Sequence, residues 1–492
     1  MIIYFYKKFY GGIMPATKTK NNQKSVLEYK RENGYLKIDE KEKKSISEFC
    51  SAYSLFLGEA KTEREFHDEA VKLLEEKGFR NAEILKKENA KLKAGDKVYY
   101  SAYGKTLIAF IIGKKPLTEG FNIVGAHIDS PRIDIKQNPL YENSEMAYLD
   151  THYYGGIKKY QWLTIPLALH GVVVKKNGSK VNIKIGEESS DPVLCLTDLL
   201  PHLAQDQMKK SLAEGVEGEN LDILIGSEPL KDKDKKEKVK ARILKILSEK
   251  YKISEEDFLS AELEIVPAAK PRDLGLDRSM ILGYGHDDRV CAYTGLKAAL
   301  DLKEIPQYSS CLILADKEEI GSYGATGMGS NFFENVCAET LNFCSQSYSE
   351  LDLKRALANS WMLSADVNSL FDPLFPSVSE KKNTAFLNYG ICVTKYTGSR
   401  GKSASSDANA EFMAQIRRIF DSNKVIWQTG ELGKVDQGGG GTIAHYMARY
   451  GMQVIDCGVG LLSMHAPMEV AGKLDIYMAY KAYLAFLKDA RK

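Results

Sequence analysis

Five short stretches of this chain, each at or near the end of an apolar run, offer a histidine or a carboxylate, and that recurrence limits the fold more than any other feature. His127 ends the run that starts at Asn122, in Gly-Ala-His127-Ile-Asp129-Ser-Pro. Asp287 stands in Gly-His-Asp287-Asp288-Arg, and Glu318 and Glu319 follow the run 312–315. Asp366 follows 362–365, and His465 lies beyond 454–457 in Ser-Met-His465-Ala-Pro. Short apolar runs bounded by turn residues read as buried strands. Ligand residues just past strand ends are the usual arrangement of an open α/β sheet, so the predicted class is α/β.

Between these runs the pattern turns helical. Over 61–79 the residues Phe66, Ala70, Val71, Leu73 and Leu74 share one face, with Gly78 as the stop, and the spacing predicts further amphipathic helices at 408–420 and 474–487. After Pro139 the texture changes. The runs 162–174 and 180–185 are β-rich and flank Lys175-Lys176-Asn177-Gly178-Ser179, an Asn-Gly hairpin signal. A charged helical segment follows at 231–252. A chain of 492 residues exceeds what one core usually organises. We therefore expect a discontinuous catalytic α/β domain (25–141 and 265–492), a β-rich insert (142–264) and a disordered tail (1–24).

Charge excludes some partners. The 68 basic and 66 acidic residues nearly cancel, which offers no electrostatic footprint for nucleic acid or an anionic membrane. The eight cysteines contain no Cys-x-x-Cys pair and read as buried, reduced thiols of a cytoplasmic protein. The opening Met1-Ile-Ile-Tyr-Phe-Tyr is too short for a signal or a span, and Met14 heads a polar stretch typical of an amino terminus.

Two cations a few ångströms apart repel unless an anion lies between them, so a dinuclear hydrolytic site needs a bridging carboxylate. Asp287, at an expected helix start, is the candidate bridge. One imidazole and one further carboxylate for each ion suit zinc, or cobalt or manganese. His127 and Asp366 are assigned to one ion, Glu319 and His465 to the other. On an extended backbone Glu318 and Glu319 point apart, which leaves Glu318 free as general base. Asp129 is placed to set the His127 tautomer. Taken alone, each histidine reads more readily as structural, the Glu-Glu as surface and the Asp-Asp-Arg as a helix cap; their recurrence at strand ends favours the metal reading.

At these residues the sequence resembles the M18 family of metallo-aminopeptidases, the aspartyl aminopeptidase and aminopeptidase I group. From about residue 25 onward the order is shared: His-x-Asp-Ser-Pro, an inserted domain, Asp-Asp, Glu-Glu-x-Gly-Ser, Ser-Ala-Asp, Met-His. The resemblance implies a three-layer α/β/α zinc-exopeptidase-like domain, the five ligands above and Glu318 as base. It also implies that the insert mediates dimerisation within a dodecamer acting on peptides with a free amino terminus. His202, in Leu200-Pro201-His202-Leu203-Ala204, resembles a histidine that reaches a neighbouring subunit's site, although alone it reads as structural. Lys395, Arg400 and Lys402 resemble a basic substrate loop. Asp436 and Gly441 belong to a glycine-rich stretch that resembles the start of a helix beside the metals; it lacks the Gly-Lys-Ser/Thr ending of a phosphate loop.

Departures concern specificity. Asp287-Asp288 stands where many relatives have Asp-Asn, and Val-Asn-Ser-Leu-Phe-Asp follows Asp366 in place of a histidine-containing run, so a preference for acidic residues does not follow from the resemblance. A related tetrahedral aminopeptidase, a carboxypeptidase or an N-deacylase uses equivalent metal chemistry. A non-catalytic assembly protein is the reading from another class, and it predicts lost ligands, whereas all six residues are present.

Overall fold

Alternate residues of the central strands enter two different cores. Ile123, Ile313, Met362 and Val454 join one apolar cluster, while Val124, Leu312, Leu363 and Ile455 join another. Successive side chains of a strand face opposite ways, so both faces of this sheet are covered. Helices Glu40–Glu59, Glu63–Glu76, His286–Leu300, Ala410–Ser422 and Lys473–Asp489 supply one cover; Ala82–Lys87, Phe332–Cys344, Glu350–Ala358 and Ala444–Ala448 supply the other. The result is the expected three-layer α/β/α arrangement.

The computed structural model describes residues 27–491 apart from 233 and 346. The tail expected over 1–24, with Met1 and Met14, lies outside the described residues. Residues 27–32 contain no helix or strand and belong to a unit separate from the one that begins at Asn33.

The sheet has nine strands in the order Arg80–Asn81, Lys97–Ala102, Thr106–Ile111, Ser309–Ala315, Phe121–His127, Trp361–Ser364, Gln453–Gly458, Ile391–Thr394 and Trp427–Thr429. The four strands from Ser309–Ala315 to Gln453–Gly458 in that order run parallel. Their carboxyl ends therefore share one edge, and His127, the Glu-Glu turn and Asp366 gather there.

A second sheet of six antiparallel strands takes Lys180–Ile185, Leu167–Val174, Ala261–Pro267, Arg132–Asn143, Met146–Tyr154 and Ile223–Gly226. The Asn-Gly hairpin closes as the sequence predicts, with Lys175 N donating to Ser179 O at 2.8 Å and Gly178 at φ +84. The sheet begins at Arg132 and ends at Pro267, so residues 142 and 264 both fall inside strands. Pro139 sits where the register shifts between Ile135 and Leu140, and a residue without an N–H fits such a break. Trp162 belongs to a 3₁₀ turn, Lys159–Trp162, so the strand starts only at Leu167. The charged helix spans Lys238–Tyr251, not 231–252, because the alternating charges after Pro229 contribute no apolar face.

A third sheet of short strands was not foreseen: Arg272–Leu274, Met280–Gly283, Glu469–Gly472, Gly460–Leu462 and Asn368–Ser369. It delivers Asp287 and His465 to the edge of the main sheet. Among the described residues, no helix is long and apolar enough to cross a membrane.

Candidate metal centre

The Asp287 carboxylate turns one oxygen to each histidine. Its Oδ1 lies 3.3 Å from His127 Nε2 and its Oδ2 3.1 Å from His465 Nε2. Glu319 Oε1 is 3.6 Å from His465 Nε2, and Glu318 Oε2 is 3.9 Å from His127 Nε2. Ligand atoms of His127, Asp287 and Asp366 lie within 4.8 Å of one another, as do those of Asp287, Glu319 and His465, and those of His127, Glu318 and Glu319.

Whether this set fits a cation follows from its lone pairs. His127 Nδ1 meets the Asp129 carbonyl at 3.0 Å, and His465 Nδ1 meets the Gly156 carbonyl at 2.8 Å. A carbonyl oxygen only accepts, so each Nδ1 carries a proton and donates it, and each Nε2, facing Asp287, is left to take a second proton or a metal ion. A carboxylate oxygen and an imidazole nitrogen this close need a positive charge between them, and a divalent ion supplies it. Asp287 Oδ1 and Glu319 Oε1 are also buried with no hydrogen-bond partner, which buried carboxylate oxygens rarely are. The donor set fits divalent ions.

Protonation carries the same message. Burial, then repulsion from Asp287, holds Glu319 well above the carboxylate range, and burial with Glu318 nearby does so for Asp366. Burial opposes charging His465, yet the Asp287 carboxylate pushes it up to about 10. Burial would raise Asp287 too, but the two imidazoles beside it take it well below its ordinary value. Burial lifts Glu318 to about 7, with Asp129 and Asp287 adding to the lift against His127. Acids crowded this closely hold protons when no metal compensates them.

Backbone turns aim these groups. Glu318–Ile320 is a 3₁₀ turn after Lys317 at φ +68, so the extended backbone expected for the Glu-Glu pair is replaced by a tight turn. The carboxylates still diverge, one toward each histidine. Asp129 holds that turn: its carboxylate accepts from Glu318 N at 3.1 Å, Glu319 N at 3.2 Å and the Tyr154 hydroxyl at 2.9 Å. Its carbonyl, rather than its carboxylate, makes the closer contact to His127. Gly285, at φ +70, precedes Asp287; a Cβ there would lie 1.6 Å from Arg289 Nη2. His465 itself sits at φ +64.

Sequence reasoning missed Glu469, whose oxygens accept from Asp287 N at 3.0 Å and His465 N at 2.7 Å. Burial with Asp287 beside it pushes Glu469 up to about 8. It also missed Asp456, which accepts from Thr442 Oγ1 at 2.7 Å and which burial lifts to about 6. The signal was present four residues after His465, but a lone acid in a four-residue strand resembles a solvent-facing one.

The ligand cluster opens into a cleft of about 430 Å³, lined also by Asn368, Thr397, Leu432, Gly441, Thr442, His445, Tyr446 and Met464. Of the expected substrate residues, Gly441 lines this cleft; Lys395, Arg400, Lys402 and Asp436 do not. Lys395 and Lys402 share Asp407, at 3.3 and 3.1 Å, and Lys402 lies 3.9 Å from the Tyr396 ring. Their loop packs behind the glycine run, with Gly440 N donating to Thr397 O at 2.8 Å. His202 lies in an exposed turn away from this cleft, beside exposed Leu199, Leu200 and Leu203. The eight cysteines are free, six of them buried.

The chain is similar to known proteins over most of its length. Residues 56–487 match the family model described as aminopeptidase I zinc metalloprotease (M18). A probable M18 family aminopeptidase 1 of Clostridium acetobutylicum is 57% identical over 465 residues, covering 94% of this chain and 99% of that protein. The crystal structure of an M18 aminopeptidase from Thermotoga maritima superposes with a TM-score of 0.89 at 43% identity, over 94% of this chain and all of that one. The S. cerevisiae mApe1 dodecamer, at 21% identity and a TM-score of 0.73 over 90% of this chain and 96% of that one, shares the fold.

Proposed function

Because the chain belongs to the M18 family of zinc metalloprotease aminopeptidases, we propose that it removes single residues from the free amino ends of peptides with two divalent ions, zinc foremost, held in each subunit. His127, Asp287 and Asp366 would hold one ion, and Asp287, Glu319 and His465 the other. Cobalt or manganese would suit the same oxygen and nitrogen donors. When bound, such ions polarise a carbonyl and acidify water. The observation that carries this reading is the two-sided Asp287 carboxylate, one oxygen toward each histidine Nε2.

Glu318 is the proton carrier in this reading. It faces the cleft beside the ligands and stands outside the two three-residue sets assigned to the ions above, and without metal burial raises it to about 7. A carboxylate at that place would take a proton from water and return it to the leaving amine. Thr442, Gly441 and the other cleft residues would orient the peptide. Lys395, Arg400 and Lys402, behind the glycine run, would act on residues beyond the first, with Asp436 shaping the turn.

His202 is proposed to act on the site of a neighbouring subunit. Its exposure among apolar residues supports that, since a surface of this kind suits burial against another copy. We propose that the second sheet forms the dimer and that dimers build a dodecamer, on the analogy of the yeast assembly. Eight free cysteines support a reducing, cytoplasmic location. The decisive experiment is Glu318→Gln. It should keep both ions by elemental analysis and lose turnover by ~10²–10⁴-fold; near wild-type activity would remove Glu318 from the role of base.

A further inference from the structure

Tyr154 ends a strand of the second sheet, and the chain from there touches both halves of the metal centre. Its hydroxyl, buried with the ring, donates to Asp129 Oδ2 at 2.9 Å. The same Asp129 carboxylate accepts the Glu318 and Glu319 N–H groups at 3.1 and 3.2 Å. Gly155 follows at φ +72, where an added Cβ would lie 3.3 Å from Glu319 Cβ. Gly156 then offers its carbonyl to His465 Nδ1 at 2.8 Å, and a Cβ on it would approach that nitrogen to 3.3 Å. Three consecutive residues outside the main sheet thus bear on the Glu-Glu turn and on the last ligand.

The ring is itself held. The Arg132 guanidinium lies 3.9 Å over it, and Arg132 is pinned by Asp134 at 2.7 Å and by Glu63 and Glu264 at 3.3 Å. A phenol clamped on its face and bonded at its tip has little freedom to follow a moving acceptor. Its position therefore dictates that of Asp129. Neither the ligand set nor the base accounts for this contact, since Tyr154 reaches no ligand side chain.

We infer that Tyr154 is a positioning residue of the reaction: its hydroxyl fixes the Asp129 carboxylate that aims Glu318 and Glu319, with Gly155 and Gly156 fitting the same strand end against the ligands. This rests on the proposed roles of Glu318 and Glu319. The second sheet thereby supplies part of the catalytic geometry in addition to whatever surface it offers another copy.

The test is Tyr154→Phe in the metal-loaded full chain, which keeps the ring under Arg132 and deletes only the hydroxyl. Loss of one hydrogen bond to a carboxylate predicts kcat lower by about tenfold with KM within twofold and metal content unchanged. Tyr153→Phe, an exposed neighbour, should leave kcat alone. Adding Tyr154→Phe to Asp129→Asn should cost much less than it does in the wild type, because both act through one contact. A Tyr154→Phe enzyme of wild-type kcat, or costs that add in the double variant, overturns the inference. If Glu318→Gln is inactive while Tyr154→Phe is not, only this inference fails; if Glu318→Gln is active, the proposed function fails first.

Discussion

Two buried groups of charge lie close together in this molecule, and they differ in where their positive charge comes from. At the joint between the second sheet and the helix Glu63–Glu76, acids lie within ion-pair distance of lysines and arginines of the chain, although Glu63 and Glu264 keep oxygens without a hydrogen-bond partner. Lys61 meets Glu187 at 2.5 Å, Arg132 meets Asp134, Glu63 and Glu264, and Lys105 meets Glu63 at 3.3 Å. At the candidate metal centre, Asp287, Glu318, Glu319 and Asp366 face two imidazoles and no lysine or arginine of the cleft. The difference teaches that a buried acidic cluster with lysines and arginines of its own chain reads as a joint, whereas one left short of them reads as a place for ions from solution.

The comparison breaks most visibly under chelation. Stripping divalent ions should lower turnover by ~10³-fold or more, with recovery on adding zinc, measured by steady-state assay alongside elemental analysis. The joint should not notice, since its cations are covalent parts of the chain. Arg132→Met tests the reverse. It leaves Glu264 buried without its cation and Glu63 with Lys105 alone, and should cost about 3–5 kcal/mol in urea unfolding, while added metal does not restore it.

A third measurement sharpens the charge count at the cleft. With the two dications proposed above and all five acids ionised, Asp287, Glu318, Glu319, Asp366 and Asp456 would leave one net negative charge, and among the described residues no lysine or arginine lines the cleft. Leucyl amides should therefore be cleaved roughly 100-fold faster than aspartyl amides, because like charges brought together cost several kcal/mol. Equal rates would mean that a basic side chain enters from outside the cleft.

Smaller effects test the joint's own titration. His170 is fully buried between Glu65 at 2.7 Å and Glu187 at 3.0 Å, with Lys61 and Lys184 facing the same acids. Burial disfavours its charge, yet Glu187 and Glu65 raise its pKa above the ordinary value. A raised folded pKa contributes stability that is complete below the unfolded value, about 6.5, and is lost as pH rises through the folded one. The melting temperature should fall over that window, and His170→Gln should flatten the slope. Smallest of all, Lys402→Ala removes one of two lysines sharing an exposed Asp407 and should change KM less than about fivefold.

The main sheet and its edge were legible because each parallel strand is a dense apolar run whose end carries a polar residue. His127, Glu319 and Asp366 could thus be nominated from strand ends, whereas Asp287 and His465 were nominated from a helix start and a Met-His motif without the third sheet that delivers them; the structure brings all five together. What escaped was carried by short or broken elements. Glu469 lies on a four-residue strand with no periodicity to read, and Asp456 hides inside an apolar strand where only its hydrogen bond to Thr442 explains it. The Arg132–Asn143 strand went unread, and the insert was started beyond Pro139, because that proline looks like an end when it marks a shift in register. The Glu-Glu pair was separated for the wrong reason, since the turn after Lys317 sets its directions rather than strand alternation.

His465 enters the centre after nearly everything else has been laid down, and Glu469, which holds the backbone of both His465 and Asp287, comes later still. A ribosome builds the chain in that order. A polypeptide that stops between Asp366 and His465 carries four of the five proposed ligands and the proposed base, yet lacks the imidazole and the clasp that would complete the second ion's place. Such a truncated product is expected to be short of turnover for want of one histidine, however well the rest of it folds.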